Sequence, residues 1–246
     1  IAPAGTGLTW PGRCNTVRRC RRFADAHSRR DDSHALTETM PSLPWDQRIA
    51  RVLVRPLART PVTPNHLTTG TLVLALGGAT LFGLGDPAAA DWGAGLFVLA
   101  RFLDHFDGEL ARLKGSASRF GYYYDYVAGA ISYAALFMGL GIGHAAGPLG
   151  VWAIGLGAAG TISALLSMVL NLGIDRQREA GAAAEGDAVG YPGYAGFELE
   201  DGIYLLAPIT WLGFLTPFFV AAGIGASIYC LWTLLRLLGL RRRRAD

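Results

Sequence analysis

Long apolar segments separated by short polar turns set the strongest constraint on how this chain folds. An α-helix of about 20 apolar residues crosses a bilayer, because its backbone polar groups are all bonded within the segment. Hydrophobic residues make up 51% of the 246 residues and charged residues only 17%, which disfavours a soluble protein. The sequence predicts an all-α integral membrane protein with six transmembrane helices. Their approximate ranges are 67–84, 92–112, 121–142, 149–174, 203–215 (short or kinked) and 217–240.

The basic stretches at both ends divide the chain into four regions. Residues 1–43 are rich in arginine and contain no apolar run that could form the core of a secretory signal. We therefore expect no cleaved signal peptide there, and a poorly ordered segment without catalysis. Residues 44–59 are predicted to form a juxtamembrane helix, residues 60–240 the six-helix membrane domain, and residues 241–246 a basic cytoplasmic tail.

Apolar and basic residues interleave between 44 and 59 with the spacing of an amphipathic helix. After Trp45, the residues Ile49, Val52 and Leu53 follow at i+4, i+7 and i+8, which is one helical face. Four arginines lie among them. Because a basic amphipathic helix binds along an anionic membrane surface, we predict an interfacial helix before the first span.

Basic residues are distributed unevenly between the loops. With six spans, the N-terminal region, the 112–120 loop, the 175–200 loop and the C-terminal arginines fall on one side of the membrane. The loops of the opposite side contain no lysine or arginine. Since basic loops stay in the cytoplasm, both termini are predicted to be cytoplasmic, and we expect a bacterial inner-membrane protein.

Three aspartates lie near the meeting point of the second and third apolar segments. One helical face carries residues at i, i+3, i+4 and i+7: Asp104, Asp107, Gly108 and Ala111. On the next segment Asp125 follows Gly121 by one turn. The short loop between the segments predicts antiparallel helices whose three carboxylates converge at the cytoplasmic side. Ionisable groups at such a position are costly, which indicates a functional site.

The charge of this acidic cluster predicts a cation site. Three carboxylates in a partly dry site require compensating positive charge, and Mg2+ or Mn2+ suits all-carboxylate ligation. Two such ions that share carboxylates hold a diphosphate, and Arg112 supplies a planar donor for its oxygens. We therefore expect two divalent ions. The alternative is a structural ion network in which Arg112, Lys114 and Arg119 neutralise the acids.

A pattern of fixed spacing resembles the signature of the CDP-alcohol phosphatidyltransferase family. It reads Asp104-x2-Asp107-Gly108-x2-Ala111-Arg112-x8-Gly121-x3-Asp125. The resemblance covers roughly 60–240 and implies a homodimeric membrane enzyme that acts in phospholipid biosynthesis. Such an enzyme moves a phosphatidyl or similar group from a CDP-linked lipid donor to a small or lipid alcohol and releases CMP. We expect membrane lipids as further partners and no nucleic acid.

The resemblance also implies roles for individual residues. Asp104, Asp107 and Asp125 correspond to metal ligands, and Asp125 is assigned to catalysis as well. The residues that correspond to the surroundings of the cytidine and diphosphate are Asn65, Thr68, Gly108, Ala111, Arg112 and Gly121.

The chain departs from the family pattern at Gly129. The pattern has a further aspartate at this position, four residues after Asp125, as a metal ligand and suggested base for the acceptor hydroxyl. Three consequences are open: a water or substrate phosphate takes the proton, the chain binds a CDP-lipid without turnover, or a carboxylate from elsewhere substitutes. The candidates for that carboxylate are Glu198, Glu200 and Asp201.

Two further ionisable residues lie close to the aspartates in sequence. His105 and Glu109 are rotated away from Asp104 on the helix, so we predict that both face solvent or lipid headgroups. A small transporter is the remaining alternative function. It would require polar residues near mid-bilayer in several spans, whereas the acids here cluster at one end.

Overall fold

A computed structural model describes the backbone of residues 45–185 and 199–242 and the side chains of 49–177 and 202–240. Within these ranges all regular structure is helical. Two 3-10 helices occur, at Arg55–Arg59 and Leu199–Leu205. The predictions for 1–43 lie outside the described residues. The α-helices are α1 Trp45–Leu53, α2 Pro64–Gly83, α3 Pro87–Lys114, α4 Arg119–Gly143, α5 Val151–Glu185, α6 Leu206–Trp211 and α7 Leu215–Arg242.

Local sequence explains where the central helices begin and end. Thr63 and Asp86 cap α2 and α3 with their side chains, and each is followed by a proline in the first turn. α3 ends at Gly115, whose φ of 60° is left-handed and favours glycine. Ser118 then caps α4, so only a few residues separate the two helices that carry the aspartates.

Four helices within the described ranges are long and apolar enough to cross a membrane. They are Pro64–Gly83, Arg119–Gly143, Val151–Gln177 and Leu215–Leu240. α3 has 28 residues, but it carries more charge, including Arg101 and the aspartates. The described part of the chain is thus all-helical and of membrane type, and the predicted first, third, fourth and sixth segments match these four helices.

The fifth apolar segment does not form one continuous α-helix. Residues Leu199–Leu205 form a 3-10 helix, and the six-residue α6 follows. Six residues at ~1.5 Å rise per residue span far less than a bilayer. Pro208 explains the break, because proline fits only the first turn of α6 and its ring would clash with the carbonyl four residues earlier.

The juxtamembrane helix is shorter than the predicted range 44–59. α1 ends at Leu53, and Pro56 lies at the start of the 3-10 helix that follows, where an α-helix cannot continue through it. Ala50 and Val54 on α1 and the turn after it are fully buried against Phe106 and Leu110 of α3. α1 therefore covers one face of the helix that carries two aspartates.

Small residues bring the long helices together. α2 packs against α3 and α4, α4 packs against α5, and α5 packs against α7. A Cβ atom at Gly78 of α2 would lie 2.7 Å from the carbonyl oxygen of Gly93 on α3. Close helix contacts through glycine are characteristic of membrane proteins, where dispersion replaces the hydrophobic effect as the driving force.

Candidate metal and phosphate site

The three aspartates predicted to converge lie together in the structure. Asp104 and Asp107 come from α3 and Asp125 from α4, and one carboxylate oxygen of each lies within 4.8 Å of the others. Asp107 is buried and the other two are half-buried. Three oxygens at this separation, in a partly dry site, suit a hard divalent cation, which prefers oxygen ligands.

Two threonines of α2 orient these carboxylates. The Thr68 hydroxyl donates to Asp107 Oδ2. The Thr71 hydroxyl lies 3.3 Å from Asp104 Oδ1 and 3.0 Å from the backbone oxygen of Thr68, and its single proton is shared between these two acceptors. Both threonines are buried. Each hydrogen bond leaves other carboxylate lone pairs available for a metal. Thr71 was missed by the sequence analysis; its position three residues after Thr68, on the same helical face, was the available signal.

Arg101 is a second residue of the site that the sequence analysis missed. It lies one turn before Asp104 on α3, and its Nη1 donates to Asp104 Oδ2 at 2.9 Å. Its guanidinium lies over the ring of Tyr133 on α4, 5.1 Å from the centroid. An arginine inside an apolar segment, near an acidic cluster, was the signal.

Glycine at position 121 lets α2 and α4 approach each other. A Cβ atom there would lie 3.2 Å from Ser118 Oγ and 3.4 Å from Asn65 Oδ1. Gly121 also donates its backbone N–H to Ser118 Oγ at 3.0 Å. Asn65 therefore lies directly beside the start of α4, with two predicted nucleotide-contacting residues in one place.

Arg112 folds back over Gly108. Its Nη2 donates to Glu109 Oε1 at 2.8 Å, and its two terminal nitrogens lie 3.7 and 3.9 Å from where a Cβ of Gly108 would be. The Arg112 side chain is 58% exposed. Ala111, which precedes it, is half-buried. A small residue at 108 thus leaves room for a guanidinium that solvent, and hence an anionic ligand, can reach.

The prediction that Glu109 faces solvent or headgroups is wrong. Glu109 is 1% exposed, and it accepts hydrogen bonds from Arg112 and from Arg51 Nε of α1, the latter at 3.2 Å. The reason is that α1 packs on this face of α3, which the helical spacing of α3 alone does not reveal. His105 is half-buried.

The side chains of the three residues proposed to supply the carboxylate that Gly129 lacks lie outside the described residues. Glu200 and Asp201 belong to the 3-10 helix Leu199–Leu205, but their side chains lie outside the described set. Glu198 lies outside the described residues altogether.

Comparison with known proteins identifies relatives of the chain. A family model described as CDP-alcohol phosphatidyltransferase matches residues 61–229. Phosphatidylinositol phosphate synthases of Mycobacterium bovis and Mycobacterium tuberculosis are 37% identical over 94 residues, which is 38% of this chain. The chain spans 42% of the length of these curated relatives.

Two solved structures of the Mycobacterium tuberculosis phosphatidylinositol phosphate synthase have a similar fold. The structure in complex with manganese and citrate has a TM-score of 0.51 and 25% identity, and the match covers 77% of this chain and 88% of that chain. The structure with CDP-DAG bound has a TM-score of 0.50 and 25% identity, with 77% and 94% covered.

Proposed function

The chain belongs to the CDP-alcohol phosphatidyltransferase family, and from this premise we propose that it transfers a substituted phosphate group from a CDP-linked lipid to an alcohol in phospholipid biosynthesis. The acceptor oxygen forms a bond to the phosphorus that stays with the lipid. The bond from that phosphorus to CMP breaks, and the hydroxyl proton passes to a base. The observation that carries this proposal is the convergence of three carboxylates, two of them on the helix that also carries the exposed Arg112.

Asp104, Asp107 and Asp125 are the proposed ligands of Mg2+ or Mn2+. When bound, a divalent ion offsets the diphosphate charge and stabilises the leaving oxygen. Thr68 and Thr71 support this assignment, because their hydroxyl groups fix the orientation of two of the carboxylates. The manganese in the related synthase supports the identity of the ion.

The donor nucleotide is proposed to bind across the starts of α2 and α4 and the end of α3. Arg112 donates to diphosphate oxygens, since its guanidinium is exposed and held by Glu109. The remaining proposed contacts come from residues that are small or polar at this place: Asn65, Thr68, Gly108, Ala111 and Gly121. The CDP-DAG in the related synthase supports a CDP-lipid donor.

Proton removal from the acceptor is proposed to involve Asp125 and a carboxylate of the segment before α6. Glu200 and Asp201 are the candidates, because α6 and the 3-10 helix before it pack against α3. Substitution of each by the corresponding amide would test this. A tenfold or greater loss of turnover with metal binding retained would identify the base.

We propose that the chain crosses the membrane six times, with the broken fifth segment as one crossing. Trp211 Nε1 donates to the backbone oxygen of Asp91, so α6 ends where α3 begins. The rings of His144 and Phe219 lie 5.3 Å apart, so α7 starts where α4 ends. These contacts support alternating directions for successive segments, with both termini and the site at the cytoplasmic face of a bacterial inner membrane. A homodimer is proposed from the family.

A second candidate function is CDP-lipid binding without turnover. Gly129 favours it, because glycine can neither bind metal through a side chain nor accept a proton. The two candidates are separated by incubating purified protein with CDP-diacylglycerol, Mn2+ and a panel of alcohols that includes inositol phosphate and glycerol phosphate. CMP release that depends on one acceptor and is abolished by a chelator is the result expected of the enzyme. Thermal stabilisation by CDP without CMP release would favour the binding protein.

A further inference from the structure

We propose that Arg101 is a built-in cation of the carboxylate site, so that the site binds one divalent ion rather than two. This inference rests on the proposed function, because it takes the three aspartates as metal ligands. It assigns to Arg101 a positioning role that the sequence pattern does not contain.

The guanidinium of Arg101 is held in the site from two sides. On α3 it forms an ion pair of 2.9 Å with Asp104, and on α4 it lies against the Tyr133 ring. The side chain is only 12% exposed. Arginine keeps its proton under all ordinary conditions, so this charge is permanent. A weakly hydrated planar cation over an aromatic ring is also well suited to a partly dry place.

Gly129 lies beside this guanidinium and places no side chain against it. Position 129 lies one turn after Asp125 on α4, and a Cβ atom there would lie 4.0 Å from Arg101 Nη1. A carboxylate at this position would therefore point at the guanidinium and pair with it. In this chain the region beside position 129 contains the positive guanidinium of Arg101 from α3 instead of a negative carboxylate from α4.

The charge balance then favours a single ion. Three carboxylates contribute three negative charges and Arg101 cancels one, so the two that remain are balanced by one divalent cation. A second ion would add two positive charges to a half-buried site, beside the fixed guanidinium. Like charges at such short range are strongly unfavourable where solvent is scarce.

With a single ion, the positive charge of the site is divided between that ion and the guanidinium of Arg101. Two-metal phosphotransfer sites hold their ions about 3.5–4 Å apart, one on each side of the reacting phosphorus. Here Arg101 supplies the second positive charge as a fixed donor to Asp104. Thr71 holds the other oxygen of Asp104.

The test is the number of Mn2+ ions bound per chain, measured by equilibrium dialysis or by electron paramagnetic resonance of free Mn2+, in detergent without nucleotide. We expect one ion for the unaltered protein and for Arg101→Lys, which keeps the charge. We expect two for the double variant Arg101→Gln/Gly129→Asp, which has four carboxylates and no guanidinium. Asp91→Asn, an exposed aspartate on the same helix, is the matched control and keeps one ion.

The other possible ion counts each contradict either the role of Arg101 or the metal-binding role of the aspartates. Two ions of similar affinity in the unaltered protein, or one ion in the correctly folded double variant, would overturn the role of Arg101 and leave the proposed function intact. No ion in the unaltered protein would overturn the metal-binding role of the three aspartates, and with it both proposals. If the double variant does not fold, the stoichiometry of the unaltered protein still decides.

Discussion

At the scale of single residues, Glu109 links α3, the helix that carries Asp104 and Asp107, to α1. Its buried carboxylate accepts hydrogen bonds from Arg51 of α1 and from Arg112 of its own helix. Asp107, two residues before it, faces the opposite way into the acidic cluster. The carboxylates of Asp107 and Glu109 therefore have different roles, although both are buried. Asp107 is oriented by a neutral hydroxyl and remains open to a cation, whereas Glu109 is already neutralised by Arg51 and Arg112.

Replacing Glu109 by glutamine is expected to lower both stability and donor affinity. The charge that holds Arg51 and Arg112 is lost, at a cost of about 1–2 kcal/mol, because a buried, charge-assisted network becomes weaker. Arg112 is then less well fixed, so KM for the CDP-lipid rises. Thermal unfolding in detergent and initial rates at varied donor concentration measure the two effects.

Arg51→Gln is the companion variant, since it removes one of the two partners and leaves the carboxylate with Arg112. It is expected to lower the melting temperature by less than Glu109→Gln does and to leave KM nearly unchanged. Identical melting temperatures for Glu109→Gln and the unaltered protein would show that the network contributes nothing to stability.

At the scale of helices, the contact between α2 and α4 depends on a glycine. A Cβ atom at Gly139 would overlap the backbone oxygen of Ala79, which cannot move without displacing α2. Gly139→Ala is therefore expected to destabilise the protein by about 1–3 kcal/mol. Because α2 carries the threonines that orient the aspartates, Mn2+ affinity should fall as well. Melting temperature and Mn2+ titration check these two results.

Gly155 provides the matched control for that substitution. It lies on α5, is exposed, and has nothing within 4 Å of a Cβ position. Gly155→Ala should be neutral or slightly stabilising, since alanine is the better helix former by roughly 0.5–1 kcal/mol. A melting temperature for Gly139→Ala equal to that of Gly155→Ala would contradict the close-packing account.

The sequence predicts the long helices well and the broken one poorly, for physical reasons. Helix start and stop signals such as Thr63, Asp86 and Gly115 act locally, so they can be recognised without tertiary information. The convergence of the aspartates follows from helical spacing and a short loop. The positions of Glu109 and Arg101 depend on which helix packs against α3, and the spacing of residues along α3 contains no such information.

At the scale of the whole molecule, orientation in the membrane determines which compartment supplies the acceptor alcohol. The apolar residues exposed on α1, Ile49, Val52 and Leu53, are consistent with a membrane-surface position of this helix. The loop between α4 and α5 contains no lysine or arginine, as the positive-inside rule expects of a loop on the opposite side in the proposed orientation.

Cysteine labelling in intact cells tests this orientation. After replacement of Cys14, Cys20 and Cys230 by serine, Ala146→Cys is expected to react with a membrane-impermeant maleimide from outside. Ser116→Cys should react only after the membrane is permeabilised. Both positions are exposed, so the difference reports the side of the membrane and not burial. Reaction of Ser116→Cys in intact cells would reverse the proposed topology.

The central claim is that the converging aspartates hold a metal needed for phosphotransfer. Its most direct test measures the initial rate of CMP release from CDP-diacylglycerol in the presence of Mn2+. The acceptor in this assay is the alcohol to which the unaltered protein responds. Asp107→Asn keeps the shape of the side chain but removes its charge, and the rate should fall by more than about 100-fold, beyond the loss typical of outer-shell partners. Asp91→Asn, an exposed change at the other end of α3, should retain the full rate. Equal rates for the two variants would contradict the account.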